Sequence, residues 1–558
     1  MFGALRSLWN AALKLRLTRH TLADFLPLIA SLFLVAVDNF AFWKSFIGAT
    51  AGGPLAGVPV QVGMFLLLVL TFTAFLALIN FRYVLKPVLV LLLIVTSVAS
   101  YFMNHYGTPI DWSMVQNIME TDTRESVELF SWQMVLSVLL LGVLPAVLLC
   151  LAPLRYGSVR RQIAVNLGTL AGAAVVALLL LMLMFKSLAP ALREHRELRF
   201  LLTPTNVIQA VNGYAQRKFT APVVVAALGT DARKGPLWSG QTRRTVTVIV
   251  VGETARAANF SLNKYARPTN PLLAKQAGLV NFSNMQSCGT ATAVSVPCVF
   301  SALGRHNYTD TRARSQEGLL DVFQHAGLDV LWLDNNSGCK GVCDRVRKQD
   351  VSVPVKGDPL CNSEECFDER LLRDLPEIIH NARQDLVIVL HQKGSHGPAY
   401  WKRYPDRFKV FGPQCETNDL SKCTREAIVA AYDNTILYTD FVLSKTIDLL
   451  RDSAIRDDVD TSLMYFSDHG ESLGENNLYL HGAPYVIAPQ EQRHVPFMLW
   501  LSDGFRERFK LDGQCLAARA DQEFSHDNIF HSALGMLDIN TAIYNPKLDL
   551  FNACTHAR

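Results

Sequence analysis

Five long apolar stretches in the first 190 residues constrain this 558-residue chain more than any other feature. Each is long enough to cross a bilayer as a helix, which takes roughly 20 residues. Residues 1–190 contain only 12 Lys or Arg and 7 Asp or Glu, about 10% of that stretch, against about 23% in the remainder. The sequence therefore predicts a membrane domain followed by a globular part. The predicted spans are Phe25–Phe46, Val62–Phe81, Val84–Met103, Gln133–Ala152 and Ala164–Phe185.

The basic residues of the short loops predict how the spans are oriented. Nine Lys or Arg lie in the N-terminal segment and in the second-to-third and fourth-to-fifth connections, whereas the alternate loops have only Lys44 and Arg124. Positive charge stays on the cytoplasmic side, so the N-terminus is expected in the cytoplasm. Because the number of spans is odd, everything after Phe185 is expected on the opposite, periplasm-like side.

The cysteines independently indicate an oxidising location for the globular part. Ten of the 11 follow residue 287, and most form pairs that are close in sequence. Such spacing fits local disulfides. The alternative, a zinc–thiolate site, is disfavoured because no pair of C-x-x-C motifs occurs. The predicted pairs are Cys288–Cys298, Cys339–Cys343, Cys361–Cys366 and Cys415–Cys423, with Cys515–Cys554 left as a fifth.

Two functional classes fit the composition poorly. A net charge of +4 without a basic arm argues against nucleic-acid binding. A transporter would place its polar residues within the spans, but Asp38 is the one acid inside a predicted span. The chemistry is therefore expected outside the membrane.

The globular part reads as an α/β domain. Residues 1–187 form the predicted transmembrane domain, with a loop near 104–131, and a linker with an interfacial helix follows at 188–242. From residue 243 to 558, short β-branched runs alternate with helical stretches. Their continuous apolar character predicts a mostly parallel sheet with helices on both faces. The clearest strands are 246–251, 329–333, 386–390, 462–466 and 496–501.

Polar residues follow four of these strands directly. Ligands in open α/β sheets gather at the carboxyl ends of strands, so the four clusters are expected to meet. Glu253, Asp468 and His469 supply two carboxylates and an imidazole, a set that suits Zn²⁺ or Mn²⁺ and could hold a metal pair. His396 and His481 are further candidate ligands. A lone acid after a strand would more often be a helix cap.

The nucleophile is expected in the segment SCGTATAVSVPCVFS. Thr290 precedes a predicted helix start, where an alkoxide would gain from the helix N-terminal field. A hydroxyl needs a base or a metal ion to become reactive. Thr292 and Ser295 compete with Thr290, and a threonine in this position taken alone would more often be only a helix cap. The pattern therefore selects the segment, not one atom.

A polar stripe lies between the third and fourth spans. Asn117, Thr121 and Glu125 recur every four positions, so they share one face if the segment is helical. The face could be solvated only, or it could meet a lipid headgroup at the membrane surface.

Taken together, these motifs resemble the lipid A phosphoethanolamine transferases, the family that includes the mobile colistin-resistance enzymes. The resemblance covers nearly the whole chain and implies a five-helix transmembrane domain plus a C-terminal α/β domain of alkaline phosphatase/sulfatase type. The motifs that carry it are VGETARAANFSLNKYARPTNP, SCGTATAVSVPCVFS, DNNSGCKGVCDR, GSHGPAYWKRYP, FSDHGESLGENNLYLHGAPY and APQEQRHVPFMLW.

The resemblance implies a role for each candidate residue. The implied zinc ligands are Glu253, Thr290, Asp468 and His469, with one tightly bound zinc ion and a second left open. Thr290 is the implied nucleophile. Lys340, His396 and His481 would surround the phosphoethanolamine group, together with Asn336, and Asn117, Thr121 and Glu125 would contact substrate.

The implied reaction moves phosphoethanolamine from phosphatidylethanolamine to lipid A through a phosphothreonine-type intermediate, which would weaken polymyxin binding. The implied protein is a monomer of the bacterial inner membrane, surrounded by membrane lipids. The alternatives are transfer to a core sugar (heptose or Kdo) or another surface glycan, and hydrolysis by a zinc phosphodiesterase. A sulfatase is disfavoured because Cys288-Gly289-Thr290-Ala291-Thr292 lacks the C/S-x-P-x-R pattern.

Overall fold

The computed structural model describes residues 19–50, 58–120, 129–194, 196–219 and 225–555. The chain divides into two compact units. One comprises Met1–Asp111 with Phe130–Val211, and the other comprises Trp112–Leu129 with Asn212–Arg558. The short segment from Trp112 therefore groups with the C-terminal part of the chain.

The first unit is helical and carries the apolar stretches. Four of its described helices are long and apolar enough to cross a membrane, or five if one bent pair counts as a single span. The five-span prediction is confirmed on that count. In chain order the helices are α1 Arg19–Val37, α2 Phe40–Thr50, α3 Val58–Leu78, α4 Leu85–Tyr106, α5 Trp112–Glu120, α6 Trp132–Val138, α7 Leu144–Leu151, α8 Val159–Glu194 and α9 Thr205–Phe219, with a π-turn Leu139–Val143 joining α6 to α7. Of these, α5 belongs to the other unit, and α9 begins in the first unit and ends in the other.

The bent pair lies where the first span was predicted. Leu22–Val37 and Phe40–Gly48 meet at 61°. Asn39 explains the break, because its side chain donates to the carbonyl of Leu34 (2.9 Å) and accepts from the backbone N–H of Thr203 (2.8 Å). A side chain that bonds the backbone in this way competes with the helical ladder.

The second unit is built on a mixed eight-stranded sheet. Its strands are β1 Arg244–Gly252, β2 Val280–Gln286, β3 Asp329–Asp334, β4 Arg347–Asp350, β5 Leu386–His391, β6 Val459–Ser467, β7 His494–Leu501 and β8 Phe524–Ser525. Their order in the sheet is β8-β2-β7-β6-β1-β5-β3-β4. All five predicted strands are present. The sheet is mostly parallel, but β7 runs antiparallel to both of its neighbours.

Helices pack against this sheet, and disulfides cross-link other segments of the second unit. Its central strands β1, β5 and β6 are almost entirely buried, as continuous apolar runs predict. The ten cysteines after residue 287 form five disulfides, Cys288–Cys298, Cys339–Cys343, Cys361–Cys366, Cys415–Cys423 and Cys515–Cys554. The helices are α10 Thr292–Val299, α11 Gly304–Asn307, α12 Asp310–Arg314, α13 Leu319–His325, α14 Leu375–Asn381, α15 Arg425–Arg456, α16 Gln490–Arg493, α17 Asp503–Phe509, α18 Gly513–Ala518 and α19 Ile529–Met536, and two small ribbons pair Arg233–Lys234 with Ile539–Asn540 and Ser472–Leu473 with Tyr479–Leu480.

Candidate active site

Two neighbouring parallel strands bring the predicted metal ligands together. Strands β1 and β6 are in register up to the pair Gly252 and Ser467. Glu253 follows the first strand, and Asp468 and His469 follow the second. One ligand atom from each lies within 4.8 Å of the others. All three side chains are fully buried.

The imidazole of His469 is held with one nitrogen toward the two carboxylates. Its Nδ1 donates to the carbonyl of Gly470 at 2.9 Å. That bond leaves Nε2 facing Glu253 Oε1 at 3.3 Å and Asp468 Oδ2 at 3.4 Å. A histidine ligand is commonly oriented by a hydrogen bond from its other ring nitrogen.

The two buried carboxylates of this cluster favour a positive charge placed between them. Burial would raise the pKa of Glu253, but the hydrogen bond and charge of His469 hold that pKa well below its usual range. Burial and the neighbouring Glu253 carboxylate raise the pKa of Asp468 to about 7. Burial would lower the pKa of His469, but Asp468 and Glu253 raise it to about 10. Two buried carboxylates thus pull a proton onto the imidazole between them.

The same donor set fits a divalent metal ion. Asp468 Oδ2 is buried and has no hydrogen-bond partner among the described residues, so it is available to a cation. Two carboxylates and one imidazole are ligands that zinc accepts. Two other groupings combine a cysteine pair with Asp527 or Asp344, but their sulfurs form disulfides and are not thiolate ligands.

Three donors surround the Glu253 carboxylate. The hydroxyl of Thr254 donates to Oε1 at 2.6 Å, the hydroxyl of Thr292 to Oε2 at 3.0 Å, and Asn336 Nδ2 to Oε2 at 2.8 Å. Thr254 has φ of +59°, a conformation that costs energy for a β-branched residue. The structure therefore places Asn336 beside a candidate metal ligand.

The three competing hydroxyls of the nucleophile segment occupy different positions. Thr290 lies two residues before α10, is buried, and donates to the carbonyl of Ala483 at 2.6 Å. Thr292, the first residue of α10, touches Glu253 and lies 3.4 Å from His469 Nε2. Ser295 donates to the carbonyl of Asp468 at 2.5 Å. Two of these hydroxyls thus bond to the cluster's own residues, while Thr290 bonds to the loop after His481.

A neutral histidine supports the turn that carries Thr290. His526 Nδ1 accepts the backbone N–H of Cys288 at 3.1 Å. Burial lowers the pKa of His526 to about 3, so its ring stays neutral and keeps Nδ1 as an acceptor. His526 thereby fixes one side of the turn.

The other predicted histidines form a second group next to His469. The ring centroid of His481 lies 4.5 Å from that of His469 and 5.3 Å from that of His396. Glu471, fully buried, accepts from His481 Nδ1 at 2.8 Å and from the hydroxyl of Tyr400 at 2.5 Å. The buried carboxylate therefore orients His481.

Lys340 lies on the loop that also carries Asn336. Its φ is +52°, and its ammonium donates to the carbonyl of Ser337 at 3.1 Å and to the Ser337 hydroxyl at 3.0 Å. The Cys339–Cys343 disulfide closes this loop. These contacts hold the Lys340 ammonium on the same loop as Asn336, which donates to the Glu253 carboxylate.

Of the predicted polar stripe, Asn117 is described and Thr121 and Glu125 lie outside the described residues. Asn117 belongs to α5, which packs against α10 in the same compact unit. A Cβ placed on Gly482 would lie 3.4 Å from Asn117 Nδ2 and 3.2 Å from Met114 Cε. Asn117 therefore lies beside the residue that follows His481.

Several site residues have little sequence signal. Glu471 lies two positions after His469, but nothing in that spacing indicates a bond to His481. The sequence likewise gives no sign that the Tyr400 hydroxyl bonds to Glu471. His391 follows a predicted strand, and its Nδ1 lies 3.2 Å from Asp334 Oδ2 while its Nε2 lies 3.3 Å from Asn336 Nδ2. Its position at a strand end was the available signal.

Buried carboxylates and an imidazole at strand ends, with a hydroxyl-bearing helix start beside them, define the phosphoryl- and sulfuryl-transfer class of α/β enzymes. Comparison with known proteins gives the same class. The sulfatase family model matches residues 245–539. A second model, described as phosphoethanolamine transferase EptA/EptB, matches residues 68–219.

Individual relatives extend the similarity over almost the entire chain. Phosphoethanolamine transferase EptA of Escherichia coli K12 is 41% identical over 529 residues, which cover 94% of this chain and 96% of that protein. Phosphatidylethanolamine transferase Mcr-1 of Escherichia coli is 38% identical over 93% of this chain and 96% of its own.

A solved structure agrees with the sequence relatives. The integral membrane protein lipooligosaccharide phosphoethanolamine transferase A (EptA) from Neisseria meningitidis superposes with a TM-score of 0.90 at 36% identity, covering 96% of this chain and 99% of that one. The chain belongs to the EptA and Mcr family of phosphoethanolamine transferases. The predicted family and fold class are thus confirmed.

Proposed function

We propose that this protein transfers phosphoethanolamine from phosphatidylethanolamine to a phosphate of lipid A, through a covalent phosphoethanolamine-threonine at Thr290. The buried cluster of Glu253, Asp468 and His469 carries the proposal, because it is built to stabilise positive charge beside a hydroxyl-bearing turn. Lipid A as acceptor rests on the motif resemblance; the relative named Kdo(2)-lipid A phosphoethanolamine 7''-transferase is less similar, at 27% identity against 41% for EptA.

The cluster residues and Thr290 would hold one zinc ion, and His396 and His481 could contribute to a second. Zinc bound there would lower the pKa of the threonine hydroxyl and stabilise the phosphoryl oxygens. The protein's own part is to orient these groups. Thr292 and Asn336 fix the Glu253 carboxylate, and Gly470 fixes the His469 ring.

In the first displacement, Thr290 Oγ forms a bond to the phosphorus of phosphatidylethanolamine, and the bond from phosphorus to the glycerol oxygen breaks. The hydrogen bond to Ala483 uses the hydroxyl's donor and leaves its lone pairs for the attack. The Thr290 O–H bond also breaks: a neighbouring imidazole takes the proton, which finally reaches the departing diacylglycerol oxygen. His396 or His481 would deliver it, and Glu471 keeps His481 in position.

In the second displacement, an oxygen of the lipid A phosphate attacks the same phosphorus and Thr290 leaves as the restored hydroxyl. Lys340 would neutralise charge on the transferred group. Asn336, Asn117, Thr121 and Glu125 would line the path of the lipid headgroups. Water in place of lipid A would give the hydrolase reaction that is the alternative.

Both proposed substrates are membrane lipids, so the membrane domain at 1–187 would hold the enzyme in the bilayer that contains them. We place the protein in the bacterial inner membrane as a monomer, with a cytoplasmic N-terminus and with the linker 188–242 and the catalytic domain 243–558 in the periplasm. An added ethanolammonium would reduce the negative charge of lipid A. The expected phenotype is resistance to polymyxins such as colistin.

The test is a transfer assay with purified full-length protein in vesicles of labelled phosphatidylethanolamine and lipid A. We expect the phosphoethanolamine mass on lipid A, and diacylglycerol in equal amount. Full lipopolysaccharide serves as a second acceptor. A label that appears only on its core sugars, or only as free phosphoethanolamine, would contradict the proposed acceptor.

We predict that Gly394→Ala damages the site through Glu253. Gly394 has φ of +55°, and a Cβ there would lie 2.5 Å from the Glu253 carbonyl oxygen and 2.9 Å from its nitrogen. Both of these atoms belong to the backbone of Glu253, so relieving the clash requires the Glu253 backbone itself to shift. We expect about a 10- to 100-fold loss of zinc affinity and transfer rate, measured by chelator competition and by the vesicle assay.

Gly357→Ala is the matched control. Gly357 has φ of +86° and nothing within 4 Å of its Cβ position, so the substitution carries the backbone strain without the collision. It should cost about 1 kcal/mol of stability and leave zinc affinity intact. An equal loss of zinc affinity in the two variants would show that backbone strain, and not the collision with Glu253, causes the effect.

A further inference from the structure

Two arginines flank one tyrosine on the loop that follows His481. The guanidinium carbon of Arg305 lies 3.1 Å from the ring centroid of Tyr485, and that of Arg493 lies 5.4 Å from it. All three side chains are half-buried. We call these three residues the arginine clasp.

The clasp carries positive charge that the surrounding residues do not neutralise. Within the described ranges, neither Arg305 nor Arg493 forms an ion pair with a carboxylate, and Arg493 Nε is buried without a hydrogen-bond partner. The nearby Asp527 accepts the backbone N–H of Arg305 at 2.7 Å. Burial, together with the charge of Arg493, lowers the pKa of Arg305. Tyr485 and Asp527 act in the opposite direction but do not offset this lowering.

Some other arginines of this unit pair with acids, among them the buried Arg256 and the exposed Arg345. Arg256 bonds Glu475 at 3.0 Å, and Arg345 bonds Asp321 at 2.7 Å. Gathering two guanidiniums without such partners costs electrostatic energy, which a bound anion would recover. The clasp therefore has the charge pattern of an anion site.

Hydrogen bonds attach the clasp to the turn that carries Thr290. Arg305 Nη1 donates to the carbonyl of Cys288, the Tyr485 hydroxyl donates to the carbonyl of Ser287 at 2.9 Å, and the N–H of Ser287 donates to the carbonyl of Arg493 at 2.7 Å. Thr290 follows Cys288 by two residues, a span of at most about 7 Å. A phosphate in the clasp would thus lie close to the nucleophile.

We infer that Arg305 and Arg493 bind the phosphate monoester of the acceptor lipid during the second displacement. Guanidinium groups match phosphate oxygens in geometry and charge. The donor headgroup is zwitterionic, and its ammonium would be repelled by two cations, so the clasp suits the anionic acceptor better. The adjacent Val486 side chain is 82% exposed, which suits an amphiphilic ligand. The inference rests on the proposed function and names its acceptor site.

The test compares Arg493→Gln and Arg493→Lys with wild-type protein in the vesicle assay, at varied lipid A and varied phosphatidylethanolamine. We expect Arg493→Gln to raise the KM for lipid A about 10- to 100-fold, the value of a charged hydrogen bond or two. The KM for phosphatidylethanolamine should change far less. Arg493→Lys should recover most of the affinity for lipid A. Inorganic phosphate should compete with lipid A in the wild type and lose that effect in Arg493→Gln.

Arg451→Gln is the matched control, because Arg451 also faces an aromatic ring, that of Trp500 at 5.7 Å, at the opposite end of β7. It should behave as wild type. An unchanged KM for lipid A in both Arg493→Gln and Arg305→Gln, or an equal rise in the donor KM, would overturn the inference alone. Failure of the wild type to modify lipid A would instead overturn the proposed function.

Discussion

Glu253→Gln is expected to abolish transfer, lowering the rate at least about 1,000-fold, and to prevent the zinc binding that we propose. The neutral amide cannot balance a divalent cation, and the remaining ligands Asp468 and His469 would then pair with each other. The donors from Thr292 and Asn336 would also lose their anionic acceptor. Loss of a ligand is costly because the site depends on few donors. Zinc per protein and the vesicle transfer rate are the measurements.

Glu369→Gln is the control for this substitution. Glu369 is also a buried glutamate of the catalytic unit, but it pairs with Arg407 at 2.8 Å and Lys445 at 2.7 Å. We expect it to keep its zinc and its transfer rate, with a loss of stability of about 1–3 kcal/mol. A Glu253→Gln protein that retained a full equivalent of zinc would contradict the assigned metal site.

The second large effect separates two threonines that lie two residues apart. Thr290→Ala should stop transfer, with a loss of at least about 1,000-fold, and should leave no covalent intermediate. Thr292→Ala removes a hydrogen bond to the Glu253 carboxylate, so about a 10- to 100-fold loss is expected. Its intermediate should still form on Thr290. Rates from the vesicle assay and the mass of the protein after incubation with phosphatidylethanolamine distinguish the two.

Thr290→Ser completes the series. Serine keeps the hydroxyl and should retain measurable transfer, unlike alanine. If Thr292→Ala lost the covalent intermediate while Thr290→Ala kept it, the roles of the two residues would have to be exchanged.

The strand ends that bear the site were predictable because buried parallel strands have a strong sequence signature. The runs that became β1, β5 and β6 are mostly apolar, and the residues after them had to meet at one edge of the sheet. Strand β4, RKQD, is exposed and charged, and β8 has only two residues. Both lack that signature. The antiparallel direction of β7 is also invisible in its continuous apolar run.

Contacts that join distant segments carry no local signal. Nothing in the sequence pairs Glu471 with Tyr400, or brings Arg305 and Arg493 to Tyr485, because each depends on the tertiary arrangement of loops. The bend of the first span is similar. Asn39 sits within an apolar run, and its effect depends on Thr203, which lies 164 residues away.

The location of the covalent intermediate tests the proposed mechanism most directly. Purified wild-type protein would be incubated with phosphatidylethanolamine without acceptor, digested, and sequenced by tandem mass spectrometry. We expect one phosphoethanolamine on Thr290, which disappears when lipid A is added. A modification on Thr292, Ser295 or any other residue would contradict Thr290 as the nucleophile, and one that lipid A does not remove would contradict the transfer through a covalent intermediate.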